Sequence, residues 1–150
     1  MPTAIHHRIQ LANESKDPSA IIQLKSGWVV VHEDQPVNGY CLLLSEPVVF
    51  SLNDLSEIER TQYLLDMVRV GDALLKVTGA YRINYETWCN LTPALHTHIV
   101  PRFKNEPEEK RILPVCKAYE AGTFRKFNIE TDAKFIEEMR NALLPFARKS

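Results

Sequence analysis

One long amphipathic segment, set between short apolar runs, restricts the fold more than anything else in this chain. It opens at Asp54-Leu55-Ser56-Glu57-Ile58-Glu59, where Ser56 and Glu59 have the spacing of a capping box. Leu64, Val68, Gly71 and Leu75 then recur at helical spacing, with Met67, Val70 and Leu74 beside them. Thr78-Gly79 closes the segment, as glycine commonly does after a helix. So wide an apolar stripe predicts a helix packed on a sheet, and the flanking runs supply the sheet.

Upstream, residues 21–24, 28–32 and 40–44 read as strands, with turn signals at Lys25-Ser26-Gly27 and over residues 33–39. The third run is apolar throughout, which predicts burial on both faces. Downstream, residues 81–85 and 95–102 read as strands separated by a loop over residues 86–93. Residues 3–19 read as a short polar segment or helix ending near Asp17-Pro18, and residues 104–110 as an exposed turn. Phe135, Ile136, Met139 and Leu143 have helical spacing within residues 132–144, and Pro145 should end or kink that helix. The predicted fold is α+β: an antiparallel sheet of about five strands, one long helix and a C-terminal helix, in a single domain over residues 1–150.

At 150 residues the chain is long enough to bury a real core, and its hydrophobic fraction of 45% is that of a globular protein. Net charge is -1 with the signs intermixed, which argues against a dedicated nucleic-acid binder but leaves room for a nucleotide. Cys41, Cys89 and Cys116 form no CxxC pair, so neither a disulfide framework nor a cysteine-built zinc site is expected. Reduced thiols fit a cytoplasmic setting. No apolar stretch has the length of a signal-peptide core or of a membrane span, and no membrane partner is expected.

The informative segment for chemistry is residues 84–102. His96 and His98 are two apart, which on a strand puts both on one face, with Ala94 before them. Asn90, Thr92 and Arg102 bring polar groups close in sequence, and Arg102 shares the parity of the histidines. By itself His-x-His is compatible with a metal pair, a catalytic pair or two surface residues. Zinc would need further ligands, which only folding could bring from Cys89, Cys41, His32, His6 or His7, so no metal site is assigned.

Leu95-His96-Thr97-His98-Ile99-Val100-Pro101-Arg102 resembles the signature of the histidine triad superfamily, in which three histidines alternate with apolar residues and Pro-Arg often follows. Val37-Asn38-Gly39-Tyr40-Cys41-Leu42-Leu43-Leu44 and the Asn53-Asp54-Leu55-Ser56 helix entry are similar to that superfamily as well. Asn84, Asn90 and Pro93 resemble an asparagine-rich pattern that precedes the histidines in bacterial members. The resemblance covers residues 20–104 and leaves residues 105–150 as a C-terminal extension with a helix.

The resemblance implies a nucleotide hydrolase or transferase acting on a dinucleoside polyphosphate or related conjugate. His96 would be the nucleophile, forming a covalent nucleotidyl-histidine. His98 and Asn90 would arrange the phosphate oxygens, and Asn84, His32, Thr92 and Arg102 would contribute to nucleotide binding. No cofactor is required, a divalent metal would arrive only with the nucleotide, and a homodimer is implied, with the Trp- and Val-rich strands as a candidate interface. Against the pattern, Ala94 occupies the first-histidine position, Thr97 replaces a more apolar residue, Cys89 stands where glycine is common, and His32 falls where an asparagine contacts the ribose. These departures leave a second reading open: a nucleotide-binding protein with weakened catalysis.

Several residues also carry plainer readings. Trp28 is expected in the core, Trp88 lining the site, at a dimer contact or simply packing, and Cys89 as an inert thiol. His6, His7 and the run Glu106-Pro107-Glu108-Glu109-Lys110-Arg111 are expected to be solvated.

Overall fold

The computed structural model describes residues 2–149; residues 1 and 150, the ends of the expected domain, lie outside them. The chain opens with α1 (Ala4–Asn13), capped by Thr3. His6, expected to be solvated, instead completes this cap: its Nδ1 accepts the Thr3 backbone N–H at 2.9 Å. β1 (Ala20–Leu24) and β2 (Gly27–Val31) follow as a hairpin. Gly27 is obligatory there, because at its φ of +154° a Cβ would lie 1.8 Å from the Leu44 carbonyl oxygen.

The two-residue β3 (Asp34–Gln35) leads to β4 (Cys41–Ser45), α2 (Glu57–Thr78), β5 (Arg82–Glu86) and β6 (His96–Arg102). The short helices α3 (Glu108–Arg111) and α4 (Val115–Ala118), the strand β7 (Arg125–Lys126) paired with β3, and α5 (Ala133–Leu143) complete the chain. The main sheet has the order β1-β2-β4-β6-β5, antiparallel throughout. An α+β fold with a five-stranded antiparallel main sheet, one long helix and a C-terminal helix is therefore what the chain forms.

The pleat divides the sheet's side chains between two cores. Leu43 of β4 and Ile99 of β6 join Tyr63, Val70 and Leu74 of α2 and Ile136, Met139 and Leu143 of α5 in one cluster. Leu42, Leu44 and Val100 join Val30, Ala94 and the α1 residues Ile5 and Ile9 in the other. β4 lies between both and is buried along its whole length, as its unbroken apolar run predicts. Trp28 packs at the rim of the second cluster, partly buried, with its indole N–H donated to Asn13 Oδ1 at 2.9 Å.

Two expectations need correction. The stripe of Leu64, Val68 and Leu75 does not face the sheet; these side chains are 41%, 44% and 39% exposed. The inward face carries Tyr63, Asp66, Val70, Ala73 and Leu74 instead. Asp66 decides the rotation: its carboxylate accepts the Ser26 backbone N–H at 3.1 Å and hydroxyl at 2.7 Å, so a charged residue is satisfied inside. The charged run after β6 is not uniformly solvated either, since Glu106 is buried against Arg102. Among the described residues no helix is long and apolar enough to cross a membrane, and the three cysteines are free.

Candidate active site

On the α1 side of the sheet, β6 turns His96 and His98 into a cleft of about 830 Å³. In the β4–β6 register His96 stands opposite Leu44 and His98 opposite Leu42. Both histidines therefore share a face with Leu42 and Tyr40, while Thr97 points to the opposite side. There the Thr97 hydroxyl lies 2.8 Å from both the Tyr63 hydroxyl and the Thr87 hydroxyl. Those partners explain how a polar residue is accommodated at a buried position between the two histidines.

His96 is buried, and its ring is held by β6's own approach. Its Nδ1 lies 2.7 Å from the Ala94 carbonyl oxygen. A carbonyl only accepts, so Nδ1 carries the proton and Nε2 keeps its lone pair. Among the described residues Nε2 has no protein partner and is not sealed from the cleft. Cys89 braces the same ring, with Sγ 3.7 Å from Nδ1 and 3.4 Å from the His96 carbonyl oxygen. Its backbone adopts φ +56°, a left-handed conformation that glycine takes without strain. The loop thus keeps a glycine-like turn while a thiol occupies the space beside the imidazole.

His98 lies with its ring centroid 5.2 Å from that of His96, edge to face. Its Nδ1 is 2.6 Å from the Tyr40 hydroxyl. Burial, reinforced by the neighbouring His96 and His32 rings, lowers its pKa to about 4, so the ring is neutral near pH 7. His32, just beyond β2, stacks at 4.3 Å on the Tyr40 ring, and its Nδ1 accepts the Asp34 backbone N–H at 2.9 Å. Burial holds His32 below its ordinary value as well.

Five of the seven residues expected at the site come together: His32, Asn90, Thr92, His96 and His98 all line the cleft, as does Trp88. Asn84 and Arg102 do not. The strand keeps the parity of Arg102, but residues 106–119 fold over this end of β6 and bury its guanidinium. That group donates to Glu106, to the Lys110 and Leu113 carbonyls, and to Asn84 Oδ1 at 3.0 Å. Asn84 is occupied by the same contact. Both face a different hollow, beside Arg111 and Leu113.

Sequence reasoning missed Tyr40. The signal lay in the pairing: with Leu42 opposite His98, Tyr40 is the diagonal same-face neighbour of His98, within reach of a long side chain. The cleft's charge was also hidden. Among the described residues Arg8 is the only lysine or arginine lining it, and it is tied to Ser19 at 2.6 Å, to the Val31 carbonyl at 3.3 Å and to Asp17. Glu33, Asp34 and Glu86 stand at the margins, and burial raises the Glu86 carboxyl above its ordinary value. A second hollow of about 850 Å³, near Asn38, Thr78 and Phe135, holds no histidine, and its Arg125 and Asp132 are paired with each other.

The α+β fold, with its five-stranded antiparallel sheet and helices, has counterparts among solved structures. A histidine triad protein from Bradyrhizobium japonicum superposes with a TM-score of 0.71 at 25% identity, covering 82% of this chain and 88% of its own. The chain has the histidine triad fold. One such protein from Marinobacter aquaeolei VT8 matches at TM-score 0.75 and 15% identity, over 97% of this chain and 98% of its own. A hypothetical histidine triad nucleotide-binding protein from Sulfolobus tokodaii matches at 0.69 and 12% identity, over 91% of each chain. No protein-family model matches the chain, nor does any curated protein. The histidine triad neighbours, mostly bacterial, agree with the resemblance carried by residues 95–102 and extend the shared fold into the C-terminal third.

Proposed function

We propose that the protein is a nucleotide hydrolase or transferase that cleaves a nucleoside phosphate bond through a nucleotidyl-histidine on His96. The observation that carries this reading is the 2.7 Å contact of His96 Nδ1 with the Ala94 carbonyl, which leaves Nε2 as a lone pair at the cleft. In the first step Nε2 attacks the α-phosphorus. A P–N bond forms, the bond to the leaving group breaks, and the leaving group departs with the electron pair and is protonated. In the second, water adds to phosphorus, the P–N pair returns to Nε2, and a nucleoside monophosphate leaves with the surplus proton lost to solvent. Another acceptor in place of water makes the reaction a transfer.

His98 and Asn90 are assigned to the phosphate oxygens and the leaving group, and Thr92 and His32 to the rest of the nucleotide. Asn84 and Arg102 are left out, since the Arg102 guanidinium is spent on Glu106, the Lys110 and Leu113 carbonyls and Asn84, and both residues face another hollow. With Arg8 tied down, neutral donors would hold the phosphate, and a polyphosphate would bring its own divalent cation. The test is a panel of nucleoside phosphoramidates and dinucleoside polyphosphates. His96→Ala should abolish turnover, and rapid quench should trap an adduct on the unaltered protein. Equal turnover by the variant would overturn the assignment. The cation-poor cleft favours one alternative, a nucleotide-binding protein with little turnover, which calorimetric binding without hydrolysis would select.

The reading also includes a cytoplasmic homodimer. Val29, Val30 and Val31 are fully buried inside this chain's own sheet and cannot form the interface. The outer face of α2 suits it better: Leu64, Leu65, Val68 and Leu75 are exposed along one stripe, and Tyr85 lies against it at Gly71.

A further inference from the structure

Tyr40 is a buried phenol whose hydroxyl has a single protein partner among the described residues, Nδ1 of His98 at 2.6 Å. A buried O–H left undonated would cost about 1–3 kcal/mol, and among the described residues Nδ1 is the protein acceptor within reach. The phenol therefore donates, and Nδ1 accepts with its lone pair. Burial near Glu86, Asp34 and Cys116 pushes the phenol pKa up, so the proton stays on oxygen. His98 is itself neutral and carries one ring proton, which the contact leaves on Nε2. That atom is not sealed from the cleft.

We propose that Tyr40 is a positioning residue that locks His98 in the Nε2–H tautomer, opposite to the tautomer the Ala94 carbonyl fixes in His96. The two rings then face the cleft with complementary functions, a lone pair on His96 and an N–H on His98. A phosphoryl group needs both kinds of partner at once: an attacking lone pair, and donors to the oxygens on which charge gathers. Lysine and arginine, which would ordinarily supply the donors, are replaced here by a neutral imidazole N–H of defined direction on His98. This catalytic consequence rests on the function proposed above; the tautomer assignment does not.

The test separates the two. Long-range ¹H–¹⁵N NMR on histidine-labelled protein at neutral pH reports the tautomer of each ring without any substrate. The expected result is Nδ1–H for His96 and Nε2–H for His98 in the unaltered protein, and a mixed tautomer for His98 in Tyr40→Phe. A protonated Nδ1 on His98, or an unchanged ring in the variant, would overturn the proposal. The spectrum of the unaltered protein tests the assignment even if the variant does not fold. In the substrate panel, Tyr40→Phe should lower kcat by about 10- to 100-fold with KM nearly unchanged, the pattern of a lost proton-donor contact in the transition state. A changed tautomer with full kcat would remove the catalytic role. Absence of turnover by the unaltered protein would count against the proposed function and leave the tautomer result standing.

Discussion

His98 shows most directly how burial becomes behaviour at the scale of one residue. Its unfolded imidazole takes a proton near pH 6.5, while the folded ring refuses it until about pH 4. Between those limits the unfolded chain binds more protons, so falling pH favours unfolding. The contribution is fully present above pH 6.5 and is lost progressively as pH drops towards 4. Urea unfolding of the unaltered protein should show this slope, and His98→Gln should flatten it; parallel curves would contradict the assignment. The chemistry of this residue was partly legible beforehand. Strand parity placed His98 beside His96, but Tyr40 lies on another strand, and pairing register is not written in a local run of residues. Arg102 shows the same limit from the other side. Its parity was read correctly, and only the fold of residues 106–119 reveals that its charge is consumed internally.

Among the elements, α2 tests which of two apolar faces supports the fold. Leu74 is fully buried against the sheet and Leu64 is 41% exposed, although both belong to the same apolar series in the sequence. Leu74→Ala should cost about 2–5 kcal/mol, as cavity-forming substitutions do. Leu64→Ala should stay within about 0.5 kcal/mol. Chemical denaturation of the two variants checks this, and equal losses would mean that the inward face is misassigned. The helix itself was readable from local signals: Ser56 and Glu59 form the capping box and Gly79 takes the left-handed C-terminal position. Its rotation was not, because apolar residues cover more than one face and the deciding residue, Asp66, is polar. Its burial is made tolerable by Ser26, forty positions earlier, together with Gln62 and Arg69 of the helix itself.

For the molecule as a whole, the segment after β6 acts as a brace across the sheet's end. Arg102 and Glu106 are both buried and joined at 3.0 Å, with Tyr119 donating to the same carboxylate at 2.7 Å. Arg102→Ala would leave Glu106 buried without its cation and should cost about 3–5 kcal/mol in denaturant unfolding. A loss below 1 kcal/mol would mean that the brace yields to water. The proposed pairing of two copies through α2 has its own check: Val68→Glu should convert the dimer to a monomer in light scattering, and an unchanged mass would place the interface elsewhere. Finally, Ala94 sits 1% exposed in the apolar cluster that includes Ile5 and Ile9 of α1. An imidazole at that position would need room that the packed cluster does not leave. Installing a third histidine is thus no isolated change: the packing around residue 94 would have to be re-tailored with it, so the two-histidine arrangement is tied to the apolar core behind it.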